Sequence, residues 1–391
     1  MPGSSRCSPE SEGTEGDEVT YALRLSECTA DRAELVGGKA VGLGSLLRIR
    51  PEGEVPPGFV VTTQAYRRWL ADQGLEDELR RILAEAEREG DEAVGQEVSR
   101  RVVELFDRAQ LAPPILKAVS QAYAALGGGE EVPVAVRSSA TAEDGTEASF
   151  AGQQETYLGV VGLEAVARDL RRCWASLFTP HAISYRRLHG MPLGQAAMAV
   201  VVQRMVAAEV SGVMLTIDPV SGDRSQISIE GAFGLGSPVV GGELTPDRYH
   251  VDKVTLEIRS AAVARKPFAD RLDPVSGTVR RVELGEEADR PCLRDEEVMR
   301  IAEVGKQIER ALGGPQDIEW AIGPGPGGER HLYLLQSRPE TVWSRRPTAP
   351  VAAPRTTAMD RIVAMMVGGP STAPTPPGGV DRKRQGAAEG A

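Results

Sequence analysis

The sequence predicts an α+β protein of two subdomains held between disordered tails. Three observations carry this: segments with apolar residues at helical spacing, Val- and Ile-rich runs that gather in the second half, and polar ends rich in Pro and Gly. A regular βαβ alternation is not seen, and no internal repeat of fixed period is present.

In chain order, residues 1–18 are mostly Ser, Gly, Glu and Pro and are expected to be disordered. Helices are expected at Glu76–Glu89, Leu163–Leu177 and Glu296–Leu312. The last has Val298, Ile301, Gly305, Ile308 and Leu312 on one stripe, a capping Asp295 before it and Gly313-Gly314 after it. Strands are expected at Val132–Val136, Met198–Val202, Val213–Ile217, Gln226–Glu230, Ile318–Ile322 and Leu332–Leu335. The glycines at Gly190 and Gly194 suggest a division there, giving subdomains 19–190 and 191–345. Residues 346–391, rich in Pro, Ala, Gly and Thr, form the second expected tail. Within it, Ala358–Val367 could form a turn or two of helix.

Composition narrows the function. A net charge of −11 and a pI near 5.2 argue against a nucleic-acid surface. The longest apolar run, Ala196–Val202, is stopped by Gln203 and Arg204, so no membrane helix is expected. No secretory leader is evident, and a cytoplasmic location is expected. Aromatic residues are only 4%, which predicts a core of Val, Leu, Ile and Ala rather than rings. Cys7, Cys28, Cys173 and Cys292 lack metal-ligand spacing and are expected to be reduced thiols.

Three glycine-rich stretches could serve a phosphate. Val36-Gly37-Gly38-Lys39 places two glycines and a lysine at a helix start, where free amides and the helix dipole attract anions. It is not a Walker A loop, and a surface lysine on a glycine turn would look the same. Val134 to Val136 form a buried strand that ends in Arg137-Ser138-Ser139 and runs into a loop of small and hydroxyl residues. Arg137 offers a planar fork of donors to phosphate, or a partner for Glu143 or Asp144. Gly231 to Gly236 looks like half a dinucleotide fingerprint, but Ser237 to Gly242 reads as further loop rather than helix.

Near the end of the folded region, Asp317 to Ile322, a Gly-Pro loop and His331 to Arg338 form a β-hairpin signal. Residues two apart share a strand face, so Asp317 and Glu319 point one way, as do Gln336 and Arg338. A loop centred near Pro326 would set Gln336 opposite Asp317. Two carboxylates, an amide oxygen and a guanidinium would then share a patch suited to Mg²⁺ and phosphate, or simply a solvated strand face.

Taken together, these stretches resemble the nucleotide-binding domain of the phosphoenolpyruvate synthase and pyruvate phosphate dikinase family, which includes rifampin phosphotransferases. The likeness runs through Gly37-Gly38-Lys39, Val55 to Thr63, Val136 to Asp144, Ser149 to Thr156, Ser211-Gly212-Val213, Thr245-Pro246-Asp247, Asp317-Ile318-Glu319 and Leu335 to Arg338, about residues 19 to 342. The resemblance implies an ATP-grasp fold whose two subdomains close on MgATP. It implies that Lys39 and Arg137 bind phosphates and that Ser149 to Gly152 cover them. Glu319 and Gln336 would hold Mg²⁺, while Asp317 and Arg338 complete the transfer site. Val202 to Val206, with Gln203 and Met205, would be the adenine hinge.

In such proteins the phosphoryl group passes to a histidine on a separate swivelling domain. Here no Thr-Ser-His-type carrier motif occurs, so a carrier histidine and substrate-binding domains on another polypeptide are expected. His181 stands where relatives usually have arginine, and Ser237 where many have glutamate. Two alternatives to the phosphotransferase component remain at this point: an ATP-binding regulatory module that transfers nothing, and one subunit of a split rifampin-type phosphotransferase.

Overall fold

The computed structural model describes residues 19–50, 53–88, 91–140 and 155–343. The two expected tails and the Ala358–Val367 patch lie outside the described residues.

A first antiparallel sheet joins β1 (Ala22–Arg24), β2 (Gly58–Val61), β3 (Val134–Ala140), β4 (Thr156–Val160) and β5 (Met198–Arg204) in the order β1-β2-β5-β3-β4. The second is built from β6 (Val210–Leu215), β7 (Gln226–Phe233), β8 (Asp247–Asp252) and β9 (Ile258–Ala262). A separate hairpin follows, β10 (Phe268–Leu272) with β11 (Val279–Glu283). Then β12 (Gln316–Pro324) and β13 (Arg330–Pro339) return to the second sheet, whose order is β13-β12-β6-β7-β8-β9. The predicted division at 190–191 precedes β5, yet β5 is the central strand of the first sheet. The sheets therefore part between Arg204 and Val210.

Strand alternation feeds two cores. Phe59, Val61, Val200 and Val202 face one way, onto a helical layer of α2 (Thr63–Asp72), α3 (Glu76–Arg88), α4 (Glu92–Arg108), α5 (Pro113–Gly127), α6 (Leu163–Ala175) and α7 (Pro180–Leu188). Val60, Ala199 and Val201 face the other way, into a core shared with Val210, Met214, Ile318 and Trp320 of the second sheet. That shared core also takes in the helix preceding the others, α1 (Ala33–Ile49). The single turn α8 (Ser237–Val240) packs against β10, and α9 (Asp295–Leu312) supplies Val298, Ile301 and Ile308 to the shared core. Because α1 is apolar toward both sheets, it is the wedge that sets one against the other.

The chain has few rings, but it concentrates them, and this corrects the expectation of a ring-poor core. Trp69 lies 4.8 Å from Phe106 and 4.9 Å from Trp174, between ring centres. Both tryptophans are fully buried, each with its indole N–H donating to a backbone carbonyl. The predicted helix at 296–312 begins one residue earlier. Arg294 is its cap, Glu297 accepts the Arg294 amide, and Asp295 is its first helical residue. Gly313 ends it in the left-handed conformation, as the glycine pair predicts. Among the described residues Cys28, Cys173 and Cys292 are free and buried, and burial pushes the Cys28 thiol up to about 12. No helix among them is long and apolar enough to cross a membrane.

Within α1 the helix breaks at Gly37, whose φ of 75° and ψ of 164° fall in a region that essentially only glycine populates. The Ser139 hydroxyl stitches the break, donating to the Val36 carbonyl at 2.8 Å and accepting the Ala40 amide at 3.2 Å. A methyl group on Gly37 would overlap the Ser139 carbonyl. Gly37→Ala is therefore expected to destabilise the protein by about 1–3 kcal/mol from backbone strain, with further loss from the overlap. Urea unfolding should show a lower midpoint at unchanged slope, and an unchanged midpoint would count against this reading of the break.

Candidate active site

The break in α1 and the end of β3 are docked on one another, and this brings the first two basic residues together. Lys39 is buried, and its ammonium donates to the Ser138 carbonyl at 2.7 Å. The neighbouring residue Arg137 lies midway along β3, which runs on to Ala140 and so corrects the expectation that the strand ends at this arginine; its side chain reaches the second sheet. Its Nη2 donates to Glu319 Oε2 at 2.6 Å and to Gln336 Oε1 at 2.8 Å, while Nη1 donates to the Leu335 carbonyl at 3.1 Å. Only 12% of the Arg137 side chain is exposed. Its Nε is buried with no hydrogen-bond partner among the described residues, an unspent donor of a kind that proteins seldom leave in place without a ligand.

The hairpin forms as predicted, with a different register. Asp317 lies opposite Arg338 and Glu319 opposite Gln336, so the predicted pairing of Gln336 with Asp317 is corrected by two residues. The reason is a bulge between Glu319 and Trp320, together with a loop whose flanks are Pro324 and Arg330. Leu335 is the extra residue, opposite neither Glu319 nor Trp320, and it is the Leu335 carbonyl that reaches Arg137. Ile318, Trp320 and Ile322 fill the opposite face, as expected. On the polar face Arg338 holds Asp317 Oδ2 through Nε at 2.9 Å and Nη2 at 2.7 Å.

The electrostatics separate the two acids. Burial alone would raise the Glu319 carboxyl, but the Arg137 charge and hydrogen bond, with the charges of Lys39 and Arg338, hold it below the usual carboxylate range. Burial holds Asp317 above that range, with Arg338 opposing and Glu319 and Glu340 reinforcing the rise.

The oxygens fit a divalent cation by chemistry. Glu319 Oε2 and Gln336 Oε1 both contact one guanidinium nitrogen, so they already converge on a positive charge. They are hard oxygen donors, and Mg²⁺ commonly takes one or two such protein groups and completes its shell with phosphate and water. Among the described residues no set of three His, Cys, Asp or Glu side chains forms a metal cage, so substrate oxygens would have to supply the rest.

Beside the polar cluster lies an apolar one. Leu158, Met205, Val206, Tyr333 and Leu335 pack around buried Ala208, Leu235, Leu272 and Ala321. Of the two expected hinge residues, Gln203 is buried and its Nε2 donates to the Pro56 carbonyl at 3.1 Å, a tie within the first sheet. The Met205 amide donates to the Pro133 carbonyl at 2.9 Å, which leaves its side chain and carbonyl for other partners. Ser149 and Gly152 lie outside the described residues. After the third glycine cluster the chain forms the turn of helix α8, where the sequence reads as loop. His181 is an exposed residue of α7, and His250 and His331 lie on β8 and β13.

Residues 33–359 match the family described as pyruvate phosphate dikinase, AMP/ATP-binding domain. The chain is 42% identical over 364 residues to a phosphoenolpyruvate synthase of Aeropyrum pernix, which covers 86% of this chain and 44% of that protein. To a probable phosphoenolpyruvate synthase of Archaeoglobus fulgidus it is 43% identical over 322 residues, 82% of this chain and 41% of the other. To a rifampicin phosphotransferase of Streptomyces sviceus it is 40% identical over 326 residues, 82% of this chain and 36% of the other. The chain spans less than half the length of these relatives.

Proposed function

The chain belongs to the pyruvate phosphate dikinase AMP/ATP-binding domain family, and from that premise we propose that it binds MgATP and passes a phosphoryl group to a carrier histidine on another polypeptide. The observation that carries this reading is the meeting of Lys39, Arg137, Glu319, Gln336 and Arg338. They come from three distant stretches of chain and meet where β3 and the broken helix α1 lie against the late hairpin.

Phosphoryl transfer needs positioning and charge neutralisation more than covalent help from the protein. Lys39 and the Arg137 fork would take phosphate oxygens, and Glu319 with Gln336 would hold a Mg²⁺ ion. When bound, the ion offsets phosphate charge. Arg338, held by Asp317, faces the group in flight. Met205, Leu158 and Leu335 give the base an apolar surface, while Gln203 braces the strand end behind it. An apolar cluster that adjoins the cationic one through Leu335 supports a nucleotide with its base on the first and its phosphates on the second.

The likeness to a rifampicin phosphotransferase supports a second final acceptor, the antibiotic, reached through the same histidine step. A polypeptide bearing a swivelling histidine domain, mixed with the chain and MgATP, should become labelled on histidine, with ADP as the product if a single phosphoryl group moves and AMP if a pyrophosphoryl group moves and then loses phosphate to water. Tight MgATP binding with no turnover beside any such partner would overturn transfer and leave a regulatory module. Arg338→Ala should slow histidine labelling about 100- to 1,000-fold, the effect of losing one preorganised charge on the transition state. MgATP affinity should fall far less, and equal loss of both would move Arg338 from transfer to ground-state binding.

A further inference from the structure

The β10–β11 hairpin leaves the second sheet and ends on the edge strand of the first. At its base the Asp270 carbonyl accepts the Leu235 amide at 2.8 Å, and Gly234, at φ 78°, leaves room for that carbonyl. The glycine cluster at 231–236 is thus the seat of this hairpin. Phe233 packs there with Ala269, Leu284 and Ala288, and Arg281 pairs with Asp270 and Glu243. At its tip, Asp273 accepts the amides of Val275 and Ser276, and the Asp273 amide meets the Thr278 carbonyl at 2.9 Å, a closed turn rather than a slack loop.

Gly277 at that tip faces Gly159 of β4. Both have positive φ, 72° and 70°. A methyl on Gly159 would overlap the Gly277 carbonyl, and one on Gly277 would stand 2.8 Å from the Gly159 carbonyl and collide with Val161. The Gly159 amide in turn donates to Met205 Sδ at 2.8 Å. Leu272 of the hairpin joins the apolar cluster of Leu158, Met205 and Leu335. A cavity of about 510 Å³ runs along the outer edge of β4 from Thr156 to Val161, with Ser276 of the tip among its walls.

We infer that this hairpin is a strap across the two sheets, and that Gly277, Gly159 and Leu272 are positioning residues for the base end of the nucleotide cleft. The inference rests on the MgATP reading above. The strap acts on Met205 from two sides, through the Gly159 amide and through Leu272, and it touches none of the groups assigned to phosphate. Its loss should therefore be felt by the base and not by the phosphates.

The test compares Gly277→Val and Leu272→Ala with the unaltered chain in binding MgATP and magnesium tripolyphosphate, which has no base. Each variant should bind MgATP about tenfold more weakly, in the range of ordinary coupling between sites, and bind tripolyphosphate unchanged. Gly277→Val should also speed hydrogen exchange across residues 156–161, a measurement that needs no ligand. Equal weakening toward both ligands would mark a general structural defect and overturn the strap's role, as would no weakening at all. Unchanged exchange at 156–161 would overturn the strap by itself. Failure of the unaltered chain to bind either ligand, with exchange altered as expected, would instead sink the MgATP reading and the base-end role while leaving the mechanical contact.

Discussion

Arg137→Ala is expected to weaken MgATP binding and any phosphoryl transfer by about 100- to 1,000-fold. Arg137 holds groups from both strands of the late hairpin at once: Glu319 on β12, and Gln336 with the Leu335 carbonyl on β13. Its removal deletes a phosphate donor and leaves the Glu319 carboxylate buried without its main counter-charge, so the carboxyl should shift upward. Arg137→Lys restores the charge but offers a single ammonium where a planar fork reaches three acceptors, and it should recover little. Titration calorimetry with MgATP, alongside urea unfolding to check that the variant folds, measures both effects. Binding equal to that of the unaltered chain would remove Arg137 from the phosphate site.

Glu319→Gln is expected to raise the Mg²⁺ concentration needed for half-saturation of nucleotide binding by about 10- to 100-fold, the scale on which groups supporting a metal are felt. The variant keeps an oxygen near Gln336 but loses the charge that draws both Mg²⁺ and Arg137. It also predicts a signature in stability against pH. The folded protein holds Glu319 below its ordinary value, so its contribution is present above the ordinary glutamate range and is lost as pH falls through the lowered value. Asp317 behaves oppositely. Its raised value favours the folded state below the ordinary aspartate range, and that contribution is lost as pH rises through the raised value. Glu319→Gln removes the first of these and reduces the second, because the Glu319 charge is one cause of the Asp317 rise. Urea midpoints of the two proteins should therefore differ by a constant at neutral pH and draw together in acid. A gap that persists or widens in acid would show that the Arg137 pair is not the source of the difference.

Several elements were legible because their signals are local. The α9 stripe with its glycine stop, the hairpin with its Gly-Pro loop and the Val-Ile strands each depend on residues a few positions apart. The polar face of the hairpin was legible for the same reason, since alternation alone puts Asp317 and Glu319 together. Its register was not, because a bulge is a choice made by packing. The Leu335 carbonyl, which an ideal ladder would have consumed, had no mark in the sequence that could reveal its contact with Arg137. Ser138 and Ser139 were visible as small residues suited to a phosphate loop. In the fold one carbonyl holds Lys39 and one hydroxyl mends the break in α1.

The glycines of 231–236 are the clearest case of a signal without a readable meaning. Their spacing looks like half a dinucleotide fingerprint but reads better as a structural turn, and in the fold Gly234 serves the close approach of Asp270, 36 residues further along the chain. The aromatic core was hidden similarly, since composition counts rings and says nothing of Trp69, Phe106 and Trp174 meeting.

By itself the sequence determined the α+β class, the residue types of the cleft and the pairing of each with its neighbours on one strand face, because periods of 2 and 3.6 are properties of a single segment. Only the tertiary structure decided that β5 joins the first sheet, that Arg137 reaches across to the hairpin and that the β10–β11 strap lies on β4. Those contacts join positions up to about two hundred residues apart, through close-packed surfaces and a bulge whose energies depend on both partners at once.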